Sequence, residues 1–166
     1  MTRSKFSNPH GLMNLKNVST VDDMCKLCKR AWSNKTFQKI CATKSYKCNI
    51  KDLFNKDKVL EWDNTNILLK EEGFTGLKTG WTYAANACLA ATYTNKNNNK
   101  TLLAVVFNSP TKASRFDDCR NLLLWANNKL YNENKTENEN ASIFTDKSKI
   151  NSKPKLAIPL KLSTLL

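Results

Sequence analysis

Lys78, Thr79 and Gly80 put a cation, a hydroxyl and a bare stretch of backbone at three consecutive positions of the segment Gly73-Phe74-Thr75-Gly76-Leu77-Lys78-Thr79-Gly80-Trp81-Thr82. The segment reads as an extended strand: a glycine turn, one apolar residue, then alternating side chains, with glycine where another backbone must come close. A small ligand with a carboxylate and a carbonyl fits along such an edge. Its backbone would pair with the strand, and Lys78 and Thr79 would grip its anionic end. A lysine on a solvated strand is the commoner meaning of one such tripeptide, so the flanking residues decide.

Those flanks predict a small antiparallel sheet. Ala87–Tyr93 reads as a strand, Asn95–Lys100 as a polar hairpin loop, and Leu102–Phe107 as a continuous apolar strand. With Phe74–Thr82 they make a three-stranded antiparallel meander, the last strand running Thr101–Phe107. A helix follows, with Ser114 as its cap and Asp117 and Asp118 in its first turn. Its expected buried stripe is Phe116, Cys119, Leu122, Leu123, Ala126 and Leu130, ending at Tyr131. Upstream, Thr20 caps a helix over Val21–Trp32 whose acidic start, Asp22 and Asp23, suits the helix dipole. Residues 33–61 read as irregular, with a strand near Ser45–Ile50; Trp62–Leu69 reads as a turn and one helical turn.

The composition allows one domain at 1–131 and a low-complexity linker or tail at 132–166, rich in Asn, Glu, Lys and Ser. Within that tail, Leu156–Leu162 has the makings of a short strand. The formal net charge is +13, spread along the chain rather than gathered in an arginine stripe with interleaved aromatics. A nucleic-acid partner is therefore not favoured. No apolar run approaches the ~20 residues that span a bilayer, and Met1–Phe6 lacks the apolar centre of a signal peptide.

Six cysteines raise the question of metal. Cys25 and Cys28, with Cys41 and Cys48 behind them, suggest a four-thiolate zinc site in a basic nucleic-acid module. The spacing favours a plainer role. Cys25 and Cys28 lie three apart in a helical pattern and face the core as small hydrophobes, and the second pair is too widely separated for a zinc knuckle. Cys88 and Cys119 are read as core residues, and no metal or cofactor is expected. His10, the one histidine, sits in a Pro/Gly-punctuated turn with no acid nearby to make it a proton shuttle.

Taken in order, four blocks resemble one family: Phe6-Ser7-Asn8-Pro9-His10-Gly11-Leu12; Ser19-Thr20-Val21-Asp22-Asp23-Met24; Asn64-Thr65-Asn66-Ile67-Leu68-Leu69 leading into Gly76–Thr82; and Arg115-Phe116-Asp117-Asp118 with Leu122–Ala126. The family is that of the serine-type D-alanyl-D-alanine carboxypeptidases, the low-molecular-mass penicillin-binding proteins. The resemblance implies an α+β, partial β-lactamase/transpeptidase-like fold, with an N-terminal and a C-terminal helix on the meander. It implies peptidoglycan peptide hydrolysis through an acyl-enzyme, ordinarily outside the cytoplasm. Partners would be a peptide ending in D-Ala-D-Ala, or a β-lactam.

By the same resemblance Lys78 supplies positive potential, Thr79 bonds the terminal carboxylate, and Gly80 lets substrate lie against the strand. The Trp81 N–H is then one of two oxyanion donors. The chain departs from the family at the nucleophile. Ser-x-Asn is absent, and the two Ser-x-x-Lys matches, Ser109–Lys112 and Ser152–Lys155, both follow the Lys-Thr-Gly strand, whereas the family's nucleophile precedes it. No catalytic residue is therefore assigned. A non-catalytic peptide- or partner-binding form of the fold is the alternative, and the missing half should leave apolar surface uncovered.

Overall fold

The structure is a computed structural model that describes residues 1–131; the expected tail, Ser152–Lys155 and Leu156–Leu162 lie outside the described residues. Three helices and five strands follow one another as α1 (Val21–Trp32), α2 (Lys35–Ala42), β1 (Ser45–Lys51), β2 (Asp57–Asp63), a 3-10 turn at Ile67–Lys70, β3 (Phe74–Thr82), β4 (Asn86–Thr94), β5 (Thr101–Ser109) and α3 (Ser114–Tyr131). The class is α+β, as the sequence predicts.

β3, β4 and β5 form an antiparallel sheet in that order, so β4 is central and β3 and β5 are its edges. Register pairs Thr79 with Leu89 and Gly80 with Cys88. It slips once near Phe74–Gly76. Because side chains alternate across a sheet, each face collects its own core. One face packs Leu89 and Ala91 of β4 against Phe116, Cys119 and Leu123 of α3, with Leu68 and Phe74 completing the cluster. The other face packs Leu77 and Val105 against Cys28 of α1 and Cys41 of α2.

α1 starts as its sequence requires: the Thr20 hydroxyl accepts the Asp23 N–H at 3.2 Å. Asp23 does more than suit the dipole. It is 1% exposed, and its carboxylate accepts the Ser4 hydroxyl at 2.8 Å and the Arg3 N–H at 2.9 Å, tying the N-terminal segment to α1.

Residues 33–61 are more ordered than their polarity suggests. Asn34 caps α2 by accepting the Phe37 N–H at 3.0 Å, and Phe37 and Cys41, one turn apart, turn toward the sheet. β1 and β2 then make a separate antiparallel hairpin that takes in Trp62 and Asp63, expected in a turn. Tyr46 and Trp62 stack across it with ring centroids 6.2 Å apart.

The closing helix differs from expectation in two details. Ser114 lies inside the helix, and its N–H is capped by the Thr111 hydroxyl at 2.9 Å. The buried stripe is Phe116, Cys119, Leu123 and Asn127; Leu122 and Leu130 are about half exposed. Asn127 is tolerated inside because its amide oxygen accepts the Asn95 side-chain N–H at 2.7 Å. The expected uncovered apolar surface is present: Leu122 and Trp125 on α3, and Tyr46, Val59 and Trp62 on the hairpin, are exposed. No helix among the described residues is long and apolar enough to cross a membrane.

Candidate functional site

The site is built at the C-terminal half of β3, on the edge away from β4. Three residues from the loop after β2 hold its lower wall. The Asn64 side chain donates to the Cys41 and Thr43 carbonyls at 3.2 and 2.9 Å, fixing the loop to the end of α2. The Asn66 side chain donates to the Gly76 carbonyl at 2.9 Å and accepts the Leu68 N–H at 3.3 Å, fixing it to β3 and to the 3-10 turn. Between these anchors Thr65 is carried to Thr79, and the two hydroxyl oxygens lie 2.6 Å apart.

That contact changes what Thr79 offers. The side chain is only 8% exposed, so the sequence-based picture of an open hydroxyl is too simple. A hydroxyl has one proton and two lone pairs. With Thr65 donating to Thr79, the Thr79 proton remains available to an incoming carboxylate; with the reverse order, the Thr65 proton does. The pair thus presents one spare donor.

Lys78 is exposed, and its ammonium donates to the Thr79 carbonyl at 2.7 Å. Gly80 is exposed, and a Cβ built there would meet only Cys88 Cβ, at 3.8 Å. The fold itself therefore does not demand glycine at this position. Trp81 is 44% exposed. Its ring packs edge-on to Tyr83 at 4.8 Å and lies 4.6 Å below the Lys112 ammonium.

Arg115 is the site residue that sequence reasoning missed. It is 7% exposed, and one guanidinium N–H donates to the Gly80 carbonyl at 2.9 Å. Its Nε has no hydrogen-bond partner, and it forms no ion pair among the described residues. Burial pushes its pKa below the usual arginine value. One signal was available: a cation in the first turn of a helix stands against the helix dipole.

The other chemical candidates lie elsewhere or are spent. Ser109 is 3% exposed, and its hydroxyl donates to Asp118 at 2.7 Å. Lys112 reaches the Trp81 ring, so this Ser-x-x-Lys is not arranged as nucleophile and base. His10 is exposed, with Nδ1 accepting the Leu12 N–H at 3.1 Å, a turn contact. All six cysteines are free thiols. Burial pushes Cys28 up to about 11 and Cys119 up to about 12, which keeps both protonated. Cys88 is half-buried rather than a core residue, its thiol directed at the Ala85 carbonyl, 3.4 Å away. Among the described residues no group of three His, Cys, Asp or Glu side chains could hold a metal ion.

Comparison with known proteins bears on this edge. Residues 1–111 match the family described as D-alanyl-D-alanine carboxypeptidase. The chain belongs to that family. It is 33% identical over 116 residues to the D-alanyl-D-alanine carboxypeptidase DacF of Bacillus subtilis, a match covering 69% of this chain and 28% of that protein. Among solved structures, a Streptomyces DD-transpeptidase is 31% identical with a TM-score of 0.64, over 69% of this chain and 44% of that one. A penicillin-binding protein from Listeria monocytogenes, in its cefotaxime-bound form, shares the fold at a TM-score of 0.57 over 72% of this chain and 46% of that one. The chain thus spans less than half of each relative, and the D-Ala-D-Ala carboxypeptidase domain it carries is partial.

Proposed function

We propose that the Lys78–Trp81 edge binds a peptide ending in D-Ala-D-Ala, and that bond cleavage requires a serine these residues do not supply. The observation that carries the reading is Gly80: exposed, not demanded by packing, and next in the strand after Lys78 and the Thr79 member of the hydroxyl pair. A peptide backbone has room to lie across it. The terminal carboxylate would take the spare proton of the Thr65–Thr79 pair, with Lys78 and the buried Arg115 charge supplying positive potential. The Trp81 N–H would be one oxyanion donor. Arg115 also positions the strand, since its bond to the Gly80 carbonyl ties that backbone to α3.

The absent step is the acyl transfer. Ser109 is committed to Asp118, and the loss of a serine nucleophile costs on the order of 10⁶ in rate. The chain by itself is therefore a binder rather than a working hydrolase, and β-lactams would associate without acylating it.

A D-Ala-D-Ala peptide titrated against the protein should give a saturable tryptophan-fluorescence change, weakened tenfold or more in Lys78→Ala and in Thr79→Ala. An unsaturable signal, or one indifferent to both substitutions, removes the binding half of the proposal. Stoichiometric covalent labelling by a tagged β-lactam removes the other half.

A further inference from the structure

The face of the sheet that α1 and α2 cover changes character along its length. Near Leu77 and Val105 it is apolar and closed by the two helices. Toward the β4–β5 loop it carries threonines, and α1 and α2 stand over them as the walls of open space rather than as a closed core. Two adjoining cavities of about 350 and 470 Å³ open there, both lined by Trp32 and Thr101. Neither touches Lys78–Trp81.

The floor is a row of hydroxyls across three strands. Thr75 of β3 lies 3.1 Å from Thr92 and 3.3 Å from Thr94 of β4, and Thr94 lies 2.9 Å from Thr101 of β5. Three hydrogen bonds among four hydroxyls use three of four protons, leaving one to donate and several lone pairs to accept. The rim is cationic: Lys29 lines the smaller cavity, and Lys35 and Lys39 the larger. All three are exposed, and none forms an ion pair among the described residues. Asp22 and Lys26 also line the smaller cavity, but Lys26 answers Asp22 at 3.1 Å. Trp32 forms a wall, and the Gln38 side chain donates to its carbonyl at 2.5 Å, joining α2 to the end of α1.

Ordinary structural roles explain each part separately. Cross-strand threonine pairs steady a sheet, and Lys29 and Lys39 suit the last turns of their helices. Those roles do not explain why ion-pair-free ammonium groups, a hydroxyl row and an indole ring line two adjoining cavities in a chain of net charge +13. That field draws anions toward it.

We propose that this cleft is a second binding site, for a small ligand carrying a phosphate monoester on a ring. The lysines would neutralise the phosphate, the threonine row would bond its oxygens or ring hydroxyls, and Trp32 would stack against the ring. The site is independent of the peptide edge.

The test is calorimetric titration of the full chain with glucose 1-phosphate and with adenosine monophosphate, using glucose and adenosine as uncharged controls. Saturable one-to-one binding of at least one phosphate ester is expected, with the uncharged controls silent. Lys29→Gln/Lys39→Gln, at two exposed positions, should weaken it tenfold or more while leaving D-Ala-D-Ala peptide binding unchanged. Lys56→Gln/Lys58→Gln removes the same charge from the hairpin and should cost less than threefold. The proposal falls if neither ester saturates, if the uncharged controls bind equally well, or if the hairpin pair costs as much as the cleft pair.

Discussion

Of the first four residues of β3 three are buried; of its last five three are exposed. Phe74, Gly76 and Leu77 are buried. A Cβ on Gly76 would come within 3.0 Å of both the Thr92 hydroxyl and the Trp32 ring. Just before the strand, Gly73 has φ +85°, and a Cβ there would fall 2.4 Å from the Tyr93 ring. Both glycines answer to the fold. At the other end Lys78, Gly80 and Trp81 are exposed, and the Gly80 Cβ position meets nothing closer than 3.8 Å. One strand therefore holds two kinds of glycine, and only the second kind lacks an internal reason. A residue type that packing does not require, at an exposed position where no described residue crowds the missing Cβ, points to something that approaches from outside.

The largest effect should separate the two ends by stability. Leu77→Ala empties a position buried between Cys28 and Val105 and should cost about 2–5 kcal/mol in denaturant unfolding. Lys78→Ala, one residue on, should stay within about 0.5 kcal/mol yet weaken peptide binding tenfold or more. Equal destabilisation by the two would erase the distinction between the ends.

The glycines sharpen it further. Gly76→Ala must displace the Trp32 ring or the Thr92 hydroxyl and should lose about 1–3 kcal/mol. Gly80→Ala should fold as well as the parent and bind the D-Ala-D-Ala peptide at least tenfold more weakly. If Gly80→Ala binds peptide unimpaired, the open lane has no role in recognition.

How far the sequence carries the reader follows the same division. The meander, α1 and the span of α3 were legible because period-2 and period-3.6 patterns are local, and Thr20 marks a helix start within four residues. The Lys78–Trp81 edge was legible as a motif. Its partners were not: Thr65 lies 14 residues from Thr79, and Arg115 lies 35 from Gly80. No local pattern reports that the loop carrying Thr65 is anchored by two asparagine amides. Nor does one report that an arginine at the start of a helix turns inward. The hairpin at Ser45–Asp63 was half missed for a related reason. Twelve of its fourteen strand residues are exposed, so tertiary burial never wrote an alternating pattern into it. Leu122 and Leu130 were over-assigned to the core because a helix with apolar residues on more than one face has no unique stripe.

A hydroxyl exchange asks which oxygen of the Thr65–Thr79 pair faces the ligand. Thr79→Val keeps the shape and removes the hydroxyl, leaving Thr65 without that partner. Thr65 is exposed, so water takes up its freed hydroxyl; the stability loss should be about 1 kcal/mol or less, while peptide affinity falls. Thr65→Val removes the other member, and Thr79 then keeps its own proton for the ligand. Binding that survives Thr65→Val and fails in Thr79→Val assigns the carboxylate contact to Thr79. The reverse outcome moves it to the loop.

Acid provides the smallest perturbation, and it acts on the enclosed end. Glu71, two residues before Gly73, accepts two Arg120 N–H groups, at 2.8 Å on Oε2 and 2.5 Å on Oε1. That hydrogen bonding holds its carboxyl below the usual glutamate value, against the opposing effect of burial. A carboxylate whose folded pKa is depressed binds fewer protons in the native state than in the unfolded one. Its contribution is therefore present above the ordinary glutamate pKa and is lost as pH falls through the lowered one. Glu71 is 38% exposed, so solvent screening limits the effect to about 1 kcal/mol or less. Between pH 6 and pH 3 the parent should lose that increment relative to Glu71→Gln, read as converging denaturant midpoints. Asp23, also depressed chiefly by its Ser4 hydrogen bond, adds a loss common to both proteins and cancels in the comparison. A constant gap between the midpoints would mean that the Arg120 pair does not anchor the approach to β3, leaving the Gly73 turn and the Phe74 cluster to fix that end by packing alone.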